Sequence, residues 1–114
     1  MGQGIKLVVY PVKDLPRARA LYSKLVGAEP YADSPYYVGF RVGAVEIGLD
    51  PNGHKAGLTG PLAYVEVDDI KQALQALIAA GAQMQQAIKD VGGGKQTATV
   101  RDADGNVVGI MQSS

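Results

Sequence analysis

Two carboxylates and two guanidiniums fall where neighbouring strands can bring them to one face. Glu46 and Glu66 are candidate proton carriers, since a carboxylate set in a cleft can serve as general base or acid. Arg41 and Arg101 have the planar fork that anchors an anionic group. Tyr37 and Tyr64 offer flat rings for stacking, and Met111 is a polarisable gap-filler. Leu62 supplies an apolar wall, and Gly109 supplies room. The competing reading is plain: the four charged residues pair on a solvated face, and ordinary packing accounts for the rings.

Other chemistries find less support. His54 is the single histidine and lies in a glycine-rich stretch from Pro51 to Pro61. A lone imidazole there has no converging ligands and no partner for a serine or threonine nucleophile. The chain has no cysteine, which removes disulfides, thiolate catalysis and cysteine metal sites. Gly92-Gly93-Gly94-Lys95 lacks the spacing and the hydroxyl of a phosphate loop. It reads instead as a flexible lid over a pocket.

The elements that must position these residues follow from periodicity. Ile5 to Val12 is apolar and rich in β-branched and aromatic residues, a strand. Asp14 caps a helix with Pro16 in its first turn, and Ala18, Leu21, Tyr22 and Leu25 recur at helical spacing before Gly27. Short strands follow over Ala28 to Asp33, Tyr36 to Val42 and Ala44 to Leu49. The pattern then restarts. Leu62 to Val67 is a strand, Asp68 or Asp69 caps, and Ile70, Ala73, Leu74, Leu77 and Ile78 form a helical stripe ended by Gly81. Strands over Gln83 to Ile88, Gln96 to Arg101 and Val107 to Gln112 close the chain.

That restart is an internal repeat. Leu7 precedes Leu62 by 55 residues (62 − 7), and the same shift pairs Val12 with Val67 and Asp14 with Asp69. Gly48 and Gly109 match at 61 (109 − 48), the glycine run of the second half absorbing the difference. The expected fold is α+β, a single domain over residues 1–114. It consists of two βαβββ modules, 5–50 and 61–113, forming an open U-shaped mixed sheet with helices outside. Alternation then splits each strand. Val45, Ile47, Leu49, Ala98 and Val100 face the helices. Tyr37, Arg41, Glu46, Leu62, Tyr64, Arg101, Gly109 and Met111 share the opposite face, a ligand-binding surface of apolar walls and few polar groups.

Composition narrows the partners. Of 114 residues, 11 are basic and 11 acidic, so the net charge is zero. This argues against nucleic acid, which selects a basic footprint, and against an anionic membrane surface. The N-terminus carries no apolar run long enough for a signal peptide or span, so a cytoplasmic location is expected.

The order of these motifs resembles the vicinal oxygen chelate superfamily, which includes glyoxalase I, bleomycin-resistance proteins and extradiol dioxygenases. The resemblance spans nearly the whole chain. It rests on Val12-Lys13-Asp14-Leu15 leading into a helix with Leu21-Tyr22 and Gly27, on Gly92-Gly93-Gly94-Lys95, and on Asp102-Ala103-Asp104-Gly105-Asn106 before the last strand. The resemblance implies paired modules, usually in a homodimer, and four metal ligands, usually His and Glu. Those places fall on Leu7, Gly48 (or Glu46, on the same face), Leu62 and Gly109. Leucine and glycine side chains cannot bind a divalent cation, so neither metal nor other cofactor is expected. Two functions remain: a protein that sequesters a small molecule, as the drug-resistance members do, or a lyase- or isomerase-type enzyme. The enzyme would use a pocket carboxylate, Glu46 or Glu66, or a non-standard metal site.

Overall fold

The computed structural model describes residues 2–113. The β-branched run at the start of the chain forms strand β1 (Gly2–Pro11). Helix α1 (Leu15–Val26) starts where the Asp14 carboxylate accepts the Arg17 amide at 3.1 Å, with proline in the first turn. It stops at Gly27, whose φ of 78° is left-handed and suits a residue without Cβ. Strands β2 (Ala32–Asp33), β3 (Val38–Val42) and β4 (Val45–Asp50) follow. The second set is β5 (Leu62–Val67), helix α2 (Ile70–Ala79), β6 (Gln83–Gly92), β7 (Lys95–Arg101) and β8 (Val107–Gln112). Of the two candidate caps, Asp69 is the one used, accepting the Gln72 amide at 3.1 Å. The Asp68 carboxylate instead accepts from the Gln3 side chain.

The chain divides into two units, Lys6–Leu62 and the residues from Ala63 onward together with the start of β1 through Ile5. In the first, β4 pairs parallel with β1 and antiparallel with β3, which pairs antiparallel with β2. In the second, β8 pairs parallel with β5 and antiparallel with β7, which pairs antiparallel with β6. Each half is thus a mixed four-stranded sheet with one helix, in βαβββ order. This is the α+β class that the repeat predicts.

Each unit has its own core, where apolar strand positions meet a helix stripe. Leu15, Val38, Phe40 and Leu49 are buried in the first, with Tyr10, Val12, Ala18, Tyr22, Val26 and Ile47 packed against them. Val67, Ile70, Ala73, Leu74, Ala98, Val100 and Ile110 are buried in the second. Both sets follow the predicted alternation, which leaves the opposite strand positions for other work.

Three sequence expectations change. β1 begins at Gly2 and β2 shrinks to two residues. The Gly92–Lys95 run is not a flexible lid: β6 extends through Gly92, which pairs with Lys95, leaving a two-residue hairpin turn. Gly93 and Gly94 both have positive φ (63° and 78°), which matched right-twisted strands demand of so short a turn. Among the described residues, no helix is long and apolar enough to cross a membrane.

The turn before β8 is held by one carboxylate. Asp102 accepts the backbone amides of Asp104 (2.9 Å) and Asn106 (2.8 Å) and the Asn106 side-chain amide (3.0 Å). These bonds, led by the Asn106 side chain, hold the Asp102 carboxyl below its ordinary value. A depressed folded pKa stabilises the turn above the ordinary aspartate range and is lost as pH falls through the folded value. The Asn106 amide resonance is therefore expected to titrate with a midpoint below 3.8. In the core, Phe40→Ala is expected to cost about 3–5 kcal/mol in denaturant unfolding. Leu25→Ala, at a side chain 71% exposed, should stay within about 0.5 kcal/mol.

Candidate functional site

In the unit Lys6–Leu62, the strand face turned away from α1 carries a polar and aromatic cluster. Arg41 and Glu46 are direct strand partners, as are Gly39 and Gly48. Across the parallel pair, Leu7 stands beside Glu46 and Val9 beside Gly48. Two tyrosines lie over the glycines. A Cβ built on Gly39 would meet the Tyr31 ring at 2.9 Å, and one on Gly48 would meet the Tyr37 hydroxyl at 2.1 Å. The Tyr31 hydroxyl donates to Glu46 Oε1, and the Arg41 guanidinium carbon lies 4.4 Å from the Tyr31 ring centroid. Burial, then the bond to Glu46, pushes the Tyr31 phenol well above its ordinary pKa, so it stays a neutral donor. Leu62 is buried at 3% exposure.

In the other unit, Tyr64 and Gly109 are parallel strand partners, and Thr99 pairs with Gly109 from the far side. A Cβ on Gly109 would lie 2.4 Å from the Tyr64 ring. Thr97, Thr99 and Met111 on this face are all buried. The Glu66 carboxylate accepts from the Ser113 hydroxyl at 2.6 Å. Arg101 donates to the Gly105 carbonyl (3.3 Å) and to Gln85 Oε1 (3.2 Å).

These placements sort the sequence candidates. Tyr37, Arg41 and Glu46 come together in one unit, and Tyr64, Gly109 and Met111 in the other. Arg101 braces the turn at Gly105, its guanidinium donating to that carbonyl and to Gln85 Oε1. The open space expected at Gly48 and Gly109 is corrected too, because tyrosine rings fill it. Sequence reasoning missed Tyr31: it falls in the strand expected over Ala28 to Asp33, but the strand formed is only Ala32–Asp33, and Tyr31 lies just before it. The available signal was the pair of strand-interior glycines, Gly39 and Gly48, since such glycines mark a close approach.

The metal positions fare as follows. Leu7, Gly48, Leu62 and Gly109 carry no donor atom, and Glu46 has one oxygen bonded by Tyr31. Among the described residues, no three His, Cys, Asp or Glu side chains gather closely enough to hold an ion. The residues present do not fit the group. His54 is exposed in the turn segment after β4. Two surface depressions lie elsewhere. One of about 340 Å³ sits at the start of α2 beside Val67, Asp69 and Gln72. The other, of about 470 Å³, sits beside Leu15, Arg19 and Pro35.

Comparison with known proteins identifies the family and the fold. The model of the Glyoxalase/Bleomycin resistance protein/Dioxygenase superfamily matches residues 4–110. No curated protein matches in sequence. Among solved structures, methylmalonyl-CoA epimerase from Mycobacterium tuberculosis is 16% identical with TM-score 0.77, covering 99% of this chain and 89% of that one. A glyoxalase/bleomycin resistance protein/dioxygenase superfamily member from Vibrio splendidus 12B01 is 15% identical with TM-score 0.75, covering 97% and 100%. The Mn(II)-bound glyoxalase from Novosphingobium aromaticivorans is 20% identical with TM-score 0.72, covering 97% of this chain and 39% of that one. Likeness at these identities shows the fold.

The glycine–tyrosine contact is testable by stability. Gly48→Ala must displace the Tyr37 phenol and is expected to cost about 1–3 kcal/mol. Gly60→Ala, where an added Cβ meets nothing within 4 Å, is the control and should be near neutral. In a Tyr37→Ala background the Gly48→Ala cost should shrink, and strict additivity in that cycle would count against the contact.

Proposed function

Given that the chain belongs to the glyoxalase/bleomycin resistance protein/dioxygenase superfamily, we propose that it binds and sequesters a small molecule without the usual metal. The observation that supports this most directly is the donor set. By the resemblance, the places where metal-dependent members put ligands fall on Leu7, Gly48 (or Glu46), Leu62 and Gly109, which supply at best one carboxylate. Lewis-acid chemistry at those places would need oxygen, nitrogen or sulfur donors. What the strand faces offer instead is recognition, each in its own unit: Tyr37, Arg41 and Glu46 with Leu62 as apolar wall in one, and Tyr64, Arg101, Gly109 and Met111 in the other. Aromatic and apolar surface with few polar groups is the usual composition of a small-molecule site. In this reading the protein is a cytoplasmic homodimer that acts by holding its ligand.

One observation favours a second reading, an isomerase- or lyase-type enzyme. Glu46 stands beside Leu7, and Tyr31 fixes its orientation, as a general base requires. The solved relatives include an epimerase and a glyoxalase. Binding is preferred because the Tyr31 hydroxyl already occupies Oε1, one of the two oxygens a substrate proton could reach. Glu66, bonded by Ser113, is the weaker candidate.

Protein purified without chelators is expected to hold no stoichiometric transition metal by elemental analysis. One tightly bound zinc, nickel, iron or manganese per chain would overturn the reading. In a thermal-shift screen, divalent metals should leave the midpoint unchanged. A true ligand at a hundredfold excess over its Kd should add about 2.7 kcal/mol of stability.

A further inference from the structure

The Tyr31–Glu46–Arg41 cluster has more order than the fold requires. The Tyr31 backbone amide donates to the Gly39 carbonyl at 2.9 Å, its ring lies over Gly39, and its hydroxyl donates to Glu46. The ring is therefore pinned at both ends, with one face toward the Arg41 guanidinium at 4.4 Å. That spacing lies inside the range over which a ring quadrupole attracts a cation. We propose that the face of Tyr31 beside Glu46 is a binding site for an organic cation with an aromatic body, which displaces the Arg41 guanidinium as it enters. The inference names the ligand class of the sequestering role proposed above and rests on that reading.

Charge decides between ligand classes. Arg41 is solvent-exposed, so its hold on the ring is of the weak, hydrated kind, and its long side chain can swing into water. An incoming cation takes over an aromatic face and a neighbouring carboxylate that already suit positive charge. An anion would have to pull Arg41 off the ring and then sit against Glu46. A neutral ligand gains from neither. The ring stays electron-rich without becoming a phenolate, because the Tyr31 proton is held firmly. A second ring is within reach: Tyr37 lies over Gly48, the strand partner of the glycine beneath Tyr31. The aromatic body of the ligand would stack there.

The test uses three probes that share one ring and differ in charge: benzyltrimethylammonium, benzoate and benzyl alcohol. Each is titrated into the full chain at low salt, read by calorimetry and by tyrosine ring resonances. The cation is expected to bind most tightly and to shift the Tyr31 signals. Arg41→Ala removes the competitor and should tighten it about two- to fivefold. Glu46→Gln keeps the shape and an acceptor for Tyr31 but should weaken the cation by a similar factor or more, with the melting temperature reporting retained fold. Preference for benzoate, or weaker cation binding in Arg41→Ala, overturns the proposal in favour of an anion site. Equal binding of benzyl alcohol and the cation also overturns it while leaving the small-molecule reading intact. Binding of none of the three overturns it outright, and the broader reading is then decided by the metal content and the screen.

Discussion

A tyrosine ring and a Cβ cannot share the same space, and this one constraint shapes the candidate site in both halves of the chain. Gly39, Gly48 and Gly109 are strand-interior residues, where glycine ordinarily weakens a sheet. Each is covered by a phenol: Tyr31, Tyr37 and Tyr64 in turn. The rings restore the side-chain contact that a bare strand backbone lacks, as aromatic cover does for glycines in designed sheets. The arrangement also fixes what the site cannot be. A donor side chain at Gly48 or Gly109 would start 2.1 or 2.4 Å from a tyrosine atom, so ligand and ring exclude each other.

Glu46 has neighbours of complementary chemistry on its own sheet: the Tyr31 hydroxyl donates to it, and Arg41 is its directly paired residue on β3. Arg41 in turn rests on the Tyr31 ring. The phenol thus links the two charged residues, donating to the carboxylate while its ring lies under the guanidinium. Each of these pairings is weak where water reaches it. A ligand can exchange for one partner without tearing out a buried charge. In the other unit the same face is quieter. Thr97, Thr99 and Met111 are buried, and Arg101 is diverted to the turn at Gly105.

The fold was legible because its signals are periodic. The 55-residue restart, the two Asp caps and the alternation of Val45, Ile47 and Leu49 against Ala44, Glu46 and Gly48 depend only on local geometry. The same alternation correctly separated Glu46 from the core. What stayed hidden depends on contacts between residues far apart in sequence. Nothing local to Tyr31 reveals that its hydroxyl reaches Glu46 fifteen residues on. Parity puts Arg101 on the right face, but only the path of the Asp102–Asn106 turn shows its guanidinium drawn to Gly105. The triple glycine was misread for a related reason. Glycine supplies both disorder and tight turns, and which one holds is decided by strand pairing on either side.

The repeat therefore carries two kinds of information that diverge. Its framework positions are kept in both halves: Asp14 and Asp69 cap, and Gly48 and Gly109 lie under rings. Its chemical positions are not. The ring over Gly48 comes from Tyr37, just before β3, while the ring over Gly109 comes from Tyr64 within β5. Two different routes to the same cover imply that the cover itself, rather than a particular residue pair, is what the fold requires at these places. The charged pair beside Tyr31 has no counterpart in the second unit at the matching register, where Val107 faces Arg101 in place of Glu46 facing Arg41. A cover needed in both halves is structural. A charge cluster present in one half is not demanded by the framework that the halves share.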